Sequence, residues 1–440
     1  MKKEINLLRP RENKILSFLR FRSISLLVMC FIIVGLFLRS DFSYTKELAV
    51  INSADFSLIK NMPKYSLSDK IREGQNLLRD SVPLLYRTRA GELTSKQIAL
   101  AILNIKTGEI FETRLWVSEQ DTRDYKKTGI INIQTVSPPE ESIFHDDIVD
   151  VGSSLKINWW NSFNTDYSIT DMPDLIVIAN KYLFPSKYLT GLSEKSSAPY
   201  TDIIYTPYSS AIHKKEIINA GRAYLEENID KAFSELTKKE VKSKVESNLL
   251  ITDVISKDIL RNIMVVEHID PDGFRNSVDD GQFLGERVLA IIGANQELAY
   301  RYTGSPAGAS GLAQFIEPTY DNMVSRYPEA KLIKDYNLGM ANHVNAIQAM
   351  VLFFDSHKKD ILSKITRKDI TNSLGITEEM LAAAYNGGPG RVVNSVNKLG
   401  LAWFSSQLNT SSASRIFRQE TLDYIRKFQA IKNLDLFVHI

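Results

Sequence analysis

Apolar residues recur with two different periods along this chain, and the change comes near position 211. Ahead of it the apolar runs are short and strand-like. Residues 98–110 read Ile-Ala-Leu-Ala-Ile-Leu-Asn-Ile-Lys-Thr-Gly-Glu-Ile, a strand that meets a turn at Lys106-Thr107-Gly108. Phe111, Thr113, Leu115 and Val117 then alternate with other residues, which predicts the partner strand of a hairpin. Residues 130–136, 143–151 and 175–179 are further strand candidates, separated by Pro138-Pro139 and Met172-Pro173. One helix, over 66–79, is predicted from Leu67, Ile71 and Leu78. Adjacent Trp159 and Trp160 would point to opposite faces of a strand, so packing is a better role for them than a shared sugar platform.

Beyond 211 the spacing becomes helical. Ile217, Ile218, Ala220, Tyr224, Leu225, Ile229 and Phe233 recur at three and four. The charged run 238–244 is a solvated helix face. Over 253–268, Ile255, Ile259 and Ile263 repeat every four residues, with Leu260 and Met264 beside them. Almost every long segment after that reads as helix, with one exception. Gly293 and Asn295 suit a helix poorly, so 288–292 and 298–302 read instead as two strands of a hairpin turning at 293–296. The expected class is α+β: a mostly helical C-terminal domain (251–430), a helical connector (211–250) and a smaller β-containing domain (45–210).

The N-terminus adds a membrane. Residues 24–38 are apolar apart from Ser25 and Gly35, and Lys2, Lys3, Arg9, Arg11, Lys14, Arg20 and Arg22 precede them. Basic residues ahead of an apolar run keep the N-terminus in the cytoplasm and send the downstream chain across the membrane. The expected arrangement is a cytoplasmic tail (1–22) and a single transmembrane anchor (23–39). A cleaved signal peptide is the alternative, but 39–43 (Arg-Ser-Asp-Phe-Ser) offers no small-x-small cleavage site. Either option places the main body outside the cytoplasmic membrane. The formal net charge of +2 gives no electrostatic case for nucleic acid. Cys30 is the single cysteine and lies in the apolar run, so no disulfide can form within one chain.

Candidate chemistry concentrates in two segments rich in small residues. The first, 305–315, reads Ser-Pro-Ala-Gly-Ala-Ser-Gly-Leu-Ala-Gln-Phe; the second, 382–392, reads Ala-Ala-Ala-Tyr-Asn-Gly-Gly-Pro-Gly-Arg-Val. Glycines let backbone approach a ligand closely, and Gln314, Tyr385 and Asn386 can hydrogen-bond sugar hydroxyls and amides. Together with Pro318-Thr319, Gly339-Met340 and Glu420-Thr421-Leu422-Asp423-Tyr424-Ile425, these segments resemble, in order, the catalytic domain of the lytic transglycosylases. These are lysozyme-like enzymes that cut the glycan strands of bacterial peptidoglycan. The resemblance covers residues 253–428, about two fifths of the chain. Ala313 departs from it, standing where the family usually has Met.

The resemblance implies substrate contacts from Ser305, Gln314, Tyr385 and Asn386, a Tyr385 hydroxyl that orients a catalytic Glu, and Glu420, Thr421 and Tyr424 bracing the site from behind. It implies neither cofactor nor metal. His268 and His343 invite a metal reading, but the six histidines have no ligand spacing on one helix. Glycan strands are the implied substrate, and residues 45–210 are available for cell-envelope protein partners.

Glycosidic cleavage needs a carboxyl that stays protonated near neutral pH, and desolvation provides one. Two glutamates compete. Glu267 lies four after Ile263 and three after Met264, on the apolar stripe, and Ile269-Asp270-Pro271 ends the helix behind it as in the family. Its distance from Ser305 exceeds the family's usual gap. Glu297 precedes Ser305 by eight, close to that gap, and Gln296-Glu297 resembles the local motif, but in a hairpin it would face outward. Glu267 is preferred, with an enlarged hairpin separating it from the Gly-rich loop. No Asp or Glu falls within 305–316, so a single-Glu, non-hydrolytic route is implied, with 1,6-anhydro ring closure. A hydrolytic muramidase and a catalytically silent glycan-binding scaffold are the alternatives.

Overall fold

The computed structural model describes residues 65–437, apart from 137–150, 152–153, 190–197, 306, 368, 371, 373–374, 409, 412–413 and 435. The expected anchor and most of the 143–151 strand candidate lie outside the described residues. Among those described, no helix is long and apolar enough to cross a membrane.

The fold is mixed α and β. Helix α1 (Leu67–Asp80) starts at Ser66, whose hydroxyl accepts the Asp69 N–H, and buries Ile71, Gly74, Gln75 and Leu78. Its partner is an antiparallel sheet in the order β4-β3-β2-β7-β8, with β1 also pairing β2. The strands are β1 (Tyr86–Arg89), β2 (Glu92–Asn104), β3 (Ile110–Ser118), β4 (Ile133–Val136), β7 (Leu175–Pro185) and β8 (Tyr200–Tyr205). Helix α2 (Glu119–Thr128) follows β3, and β5 (Leu155–Trp159) pairs with β6 (Asp166–Ile169) separately. The β2–β3 hairpin is the one expected: Ile98 faces Leu115 and Ile102 faces Phe111 across it. At the turn, the Asn104 side chain accepts the Lys106 and Thr107 N–H groups. Trp160 packs beside Tyr182 while Trp159 stays exposed, so the tryptophan pair is indeed divided.

The helical half comprises α3 (Lys215–Lys238), α4 (Lys257–Val266), α5 (Gln282–Asn295), α6 (Glu317–Arg326), α7 (His343–Lys364), α8 (Glu378–Gly387), α9 (Pro389–Leu399) and α10 (Gln419–Asn433). The expected helix over 253–268 is in fact two pieces. A turn at Ile251–Val254 breaks at Ile255, and Ser256 caps α4 by accepting the Asp258 N–H.

The hairpin expected over 288–302 is absent; that stretch is α5, closed by a 3₁₀ turn at Gln296–Leu298. The glycine that spoke against a helix is what lets this helix pack. A Cβ on Gly293 would sit 2.0 Å from the Ile217 carbonyl oxygen, and one on Gly221 equally close to that of Leu289. Helices α3 and α5 therefore cross backbone to backbone, and packing overrides propensity. Asn295 is equally necessary. Its side-chain oxygen accepts the Thr206 N–H at 2.7 Å, and its amide donates to the Thr206 and Ile291 carbonyls. Gln75 of α1 donates to the Thr206 hydroxyl and to the Ala294 carbonyl. This buried polar network joins the sheet layer to the helices, and the two form one unit.

Gly293→Ala should therefore lower stability by about 2–3 kcal/mol, since backbone must move to admit the methyl. Urea unfolding of variant and parent measures it, and a change below about 0.5 kcal/mol would contradict the close crossing.

Candidate functional site

Helix α4 is apolar on the face carrying Ile259, Ile263 and Met264, and that face is buried. Glu267 is its C-cap, and its own N–H bonds back to the Ile263 carbonyl. Its carboxyl thus emerges from the buried stripe at the point where the chain turns away. There it lines a cleft of about 980 Å³, together with Ser305, Gln314, Tyr385 and Asn386. The Tyr424 hydroxyl of α10 donates to Glu267 Oε1 at 2.6 Å. Burial pushes the Glu267 carboxyl up to about 7, against the opposing pull of the Tyr424 bond and the Lys427 charge, while Glu420 adds to the rise. A carboxyl so placed is substantially protonated near neutrality and can donate to a ligand in the cleft.

The loop over 305–316 is held by its backbone. Gly311 has a φ of +68°, and a Cβ there would lie 2.7 Å from the Met340 carbonyl oxygen, so the position requires glycine. Ser305 Oγ accepts the Ala309 N–H, and Gln314 donates its side-chain amide to the Gly311 carbonyl. The loop carbonyls then receive three side chains from outside: His268 Nε2 at 3.0 Å from Leu312 O, Tyr385 on Ala313 O, and Tyr336 on Phe315 O. Burial lowers His268 to about 3, so its ring is neutral and its Nε2–H is the donor to Leu312. His268 also stacks on Tyr300 at 3.5 Å between centroids. The residue beside Glu267 thus ties that glutamate's turn to the Gly-rich loop.

The second segment ends α8. Gly388, with a φ of +83°, turns the chain into α9. The Thr421 hydroxyl of α10 donates to Asn386 Oδ1 at 2.8 Å, and Gly387 lies close enough that a Cβ would approach Thr421 to 2.9 Å. Arg391 donates to the Gly387 carbonyl and so holds the loop.

Three expectations need correction. The hydroxyl on Glu267 belongs to Tyr424; Tyr385 spends its hydroxyl on Ala313, although it lines the same cleft. Glu297 is not in the cleft. It is exposed on the 3₁₀ turn after α5, where its charge adds to the burial that raises the Tyr224 hydroxyl. The long interval between Glu267 and Ser305 holds the turn Pro271–Arg275 and helix α5 in place of an enlarged hairpin. Lys427 is a member of the site that was not expected from sequence. It is a buried cation on the same face of α10 as Tyr424, and it also lines the cleft. Its signal is the one that marks Glu267, a charge on an apolar stripe, here among Tyr424, Phe428 and Ile431.

The raised carboxyl has a consequence for stability. Unfolded, Glu267 ionises near its ordinary value of 4.5, while folded it holds its proton to about 7. As pH rises between these values the unfolded chain releases that proton first, so the group favours unfolding, and above 7 the penalty is constant. Glu267→Gln should therefore stabilise the protein at pH 8, by on the order of 2 kcal/mol, and leave stability unchanged below pH 4. Urea titrations at the two pH values test this, and equal differences at both would refute the desolvated carboxyl. No protein-family model, curated protein or solved structure matches this chain.

Proposed function

We propose that the chain is a peptidoglycan lytic transglycosylase with a lysozyme-like catalytic half, anchored at the cytoplasmic membrane with its body on the outer side. The observation that carries this reading is the meeting, in one cleft, of a desolvated glutamate with both glycine-bearing segments of the family pattern. Glu267, protonated, gives its proton to the glycosidic oxygen between N-acetylmuramic acid and N-acetylglucosamine. The substrate's own N-acetyl group stabilises the developing cation. Glu267, now ionised, takes the proton of the C6 hydroxyl as that oxygen closes the 1,6-anhydro ring. Atoms balance without water, and the enzyme returns to its protonated state. Tyr424 aims the carboxyl, and Gln314 and Asn386 present polar groups to the sugar at the scissile bond.

A hydrolytic route is the second reading, favoured by one observation. Glu420 lines the same cleft and its charge acts on Glu267, so a second carboxylate stands near the acid, though outside the Gly-rich loop.

Digestion of purified sacculi by the full-length protein separates these readings. Transglycosylation releases 1,6-anhydro products, whereas hydrolysis releases reducing ends. Glu267→Gln should lower release by roughly 10²–10⁴-fold, and Glu297→Gln should leave it within about twofold. Sacculus binding without release by the parent protein would mark a silent scaffold. Loss of activity in the Glu297 variant alone would overturn the assignment of the acid.

A further inference from the structure

Lys427 is a buried lysine with no carboxylate in bonding contact with its ammonium among the described residues. Its Nζ donates to two backbone carbonyls, Val266 at 3.1 Å and Ile269 at 2.9 Å. Those carbonyls bracket Glu267 on the turn that ends α4. A helix C-terminus leaves its last carbonyls unpaired, and a cation there satisfies them and complements the helix dipole. A neutral donor would serve the bonding as well. Burying an ammonium is costly unless its charge is answered; burial lowers Lys427, and Glu267, in the wall of the same cleft, opposes this more than Asp270, Asp423 or Glu420.

We infer that Lys427 is a positioning residue for Glu267: its two bonds to the Val266 and Ile269 carbonyls fix the turn that carries the carboxyl and place the Lys427 ammonium in the wall of the same cleft. The inference rests on the proposed role of Glu267 but makes a claim of its own about that carboxyl. The charged and titratable groups around the pair are Glu420, Asp423 and Tyr424 of α10, His268 and Asp270 on the turn and Tyr385 of α8, and burial keeps His268 neutral. Asp423 is engaged by Arg275 and Arg426, so its charge is largely answered. Tyr385 and Tyr424 stay neutral, because burial and the nearby Glu267 hold both hydroxyls well above the usual tyrosine range. Burial and Glu420 drive Glu267 towards the protonated form; the Tyr424 bond opposes them most, and the Lys427 charge adds to that opposition. Without that charge the carboxyl would hold its proton more firmly and be a weaker acid towards the glycosidic oxygen.

Two variants divide the bonds from the charge. Lys427→Gln keeps amide donors for the two carbonyls and removes the charge; Lys427→Arg keeps the charge. In the full-length protein, carbon-detected NMR of labelled glutamate should place the Glu267 midpoint about one pH unit higher in Lys427→Gln and near the parent value in Lys427→Arg. The alkaline limb of sacculus digestion should move upward by the same amount in the first variant only. A Glu267 midpoint unchanged in folded Lys427→Gln, or raised equally in both variants, would overturn the inference. If the parent releases nothing from sacculi while the midpoints behave as expected, the functional reading fails and the role of Lys427 stands.

Discussion

Desolvation of one carboxyl at the end of α4 is the constraint around which the rest is arranged. A glutamate on an apolar stripe is unfavourable while ionised, and the fold answers with a hydroxyl and a cation from a single partner helix. Tyr424 and Lys427 stand three apart on α10, so both face α4. Thr421, one turn earlier, secures Asn386. Helix α10 therefore reaches the acid, the turn behind the acid and the second glycine-bearing segment from one face. Its burial, through Leu422, Ile425, Phe428 and Ile431, fixes the geometry of all three.

The Gly-rich loop is tied to the same centre by backbone. Small residues give the loop few side chains with which to hold itself, so its carbonyls are the handles. Leu312 is held by His268 and Ala313 by Tyr385, adjacent carbonyls gripped from the acid's turn and from the second segment. Ala313 is held in the same way. Its buried site uses the backbone oxygen, and the Tyr385 ring lies against Phe315, Phe353 and Phe354. A movement of either segment would be felt at the loop, and through His268 at the residue next to Glu267.

Legibility in the sequence tracked the strength of each local signal. The β2–β3 hairpin was legible because Ile98, Leu100 and Ile102 meet a turn with Asn104 and Gly108. Glu267 was legible because a charge on a stripe of isoleucines is a rare placement. Helix α5 was not, because Gly293 and Asn295 weaken a helix locally and only their tertiary partners, the Ile217 carbonyl and Thr206, reveal their purpose. The exchange of roles between Tyr385 and Tyr424 was hidden for a related reason. Both tyrosines sit on buried helices, and the hydroxyl's target depends on which carbonyl or carboxyl stands opposite. Glu297 drew attention through its spacing from Ser305, yet it sits on the turn closing α5 and faces solvent, so nearness along the chain did not bring it to the cleft.

Helix α5 also shows how the sheet layer and the helical half come to act as one body. Helix α5 lies between the acid and the loop in sequence, but in space it crosses α3 and ends on Thr206 at the close of β8. The chain beyond it turns at Tyr300, whose ring stacks on His268. The sheet layer, through Thr206 and Asn295, is thereby two short steps from the residue beside Glu267. Helix α5 thus braces the sheet layer against the back of the turn that carries Glu267, and none of its residues lines the cleft. Ser305, Gln314, Tyr385 and Asn386 line the cleft, whereas the residues that join α5 to the sheet layer do not.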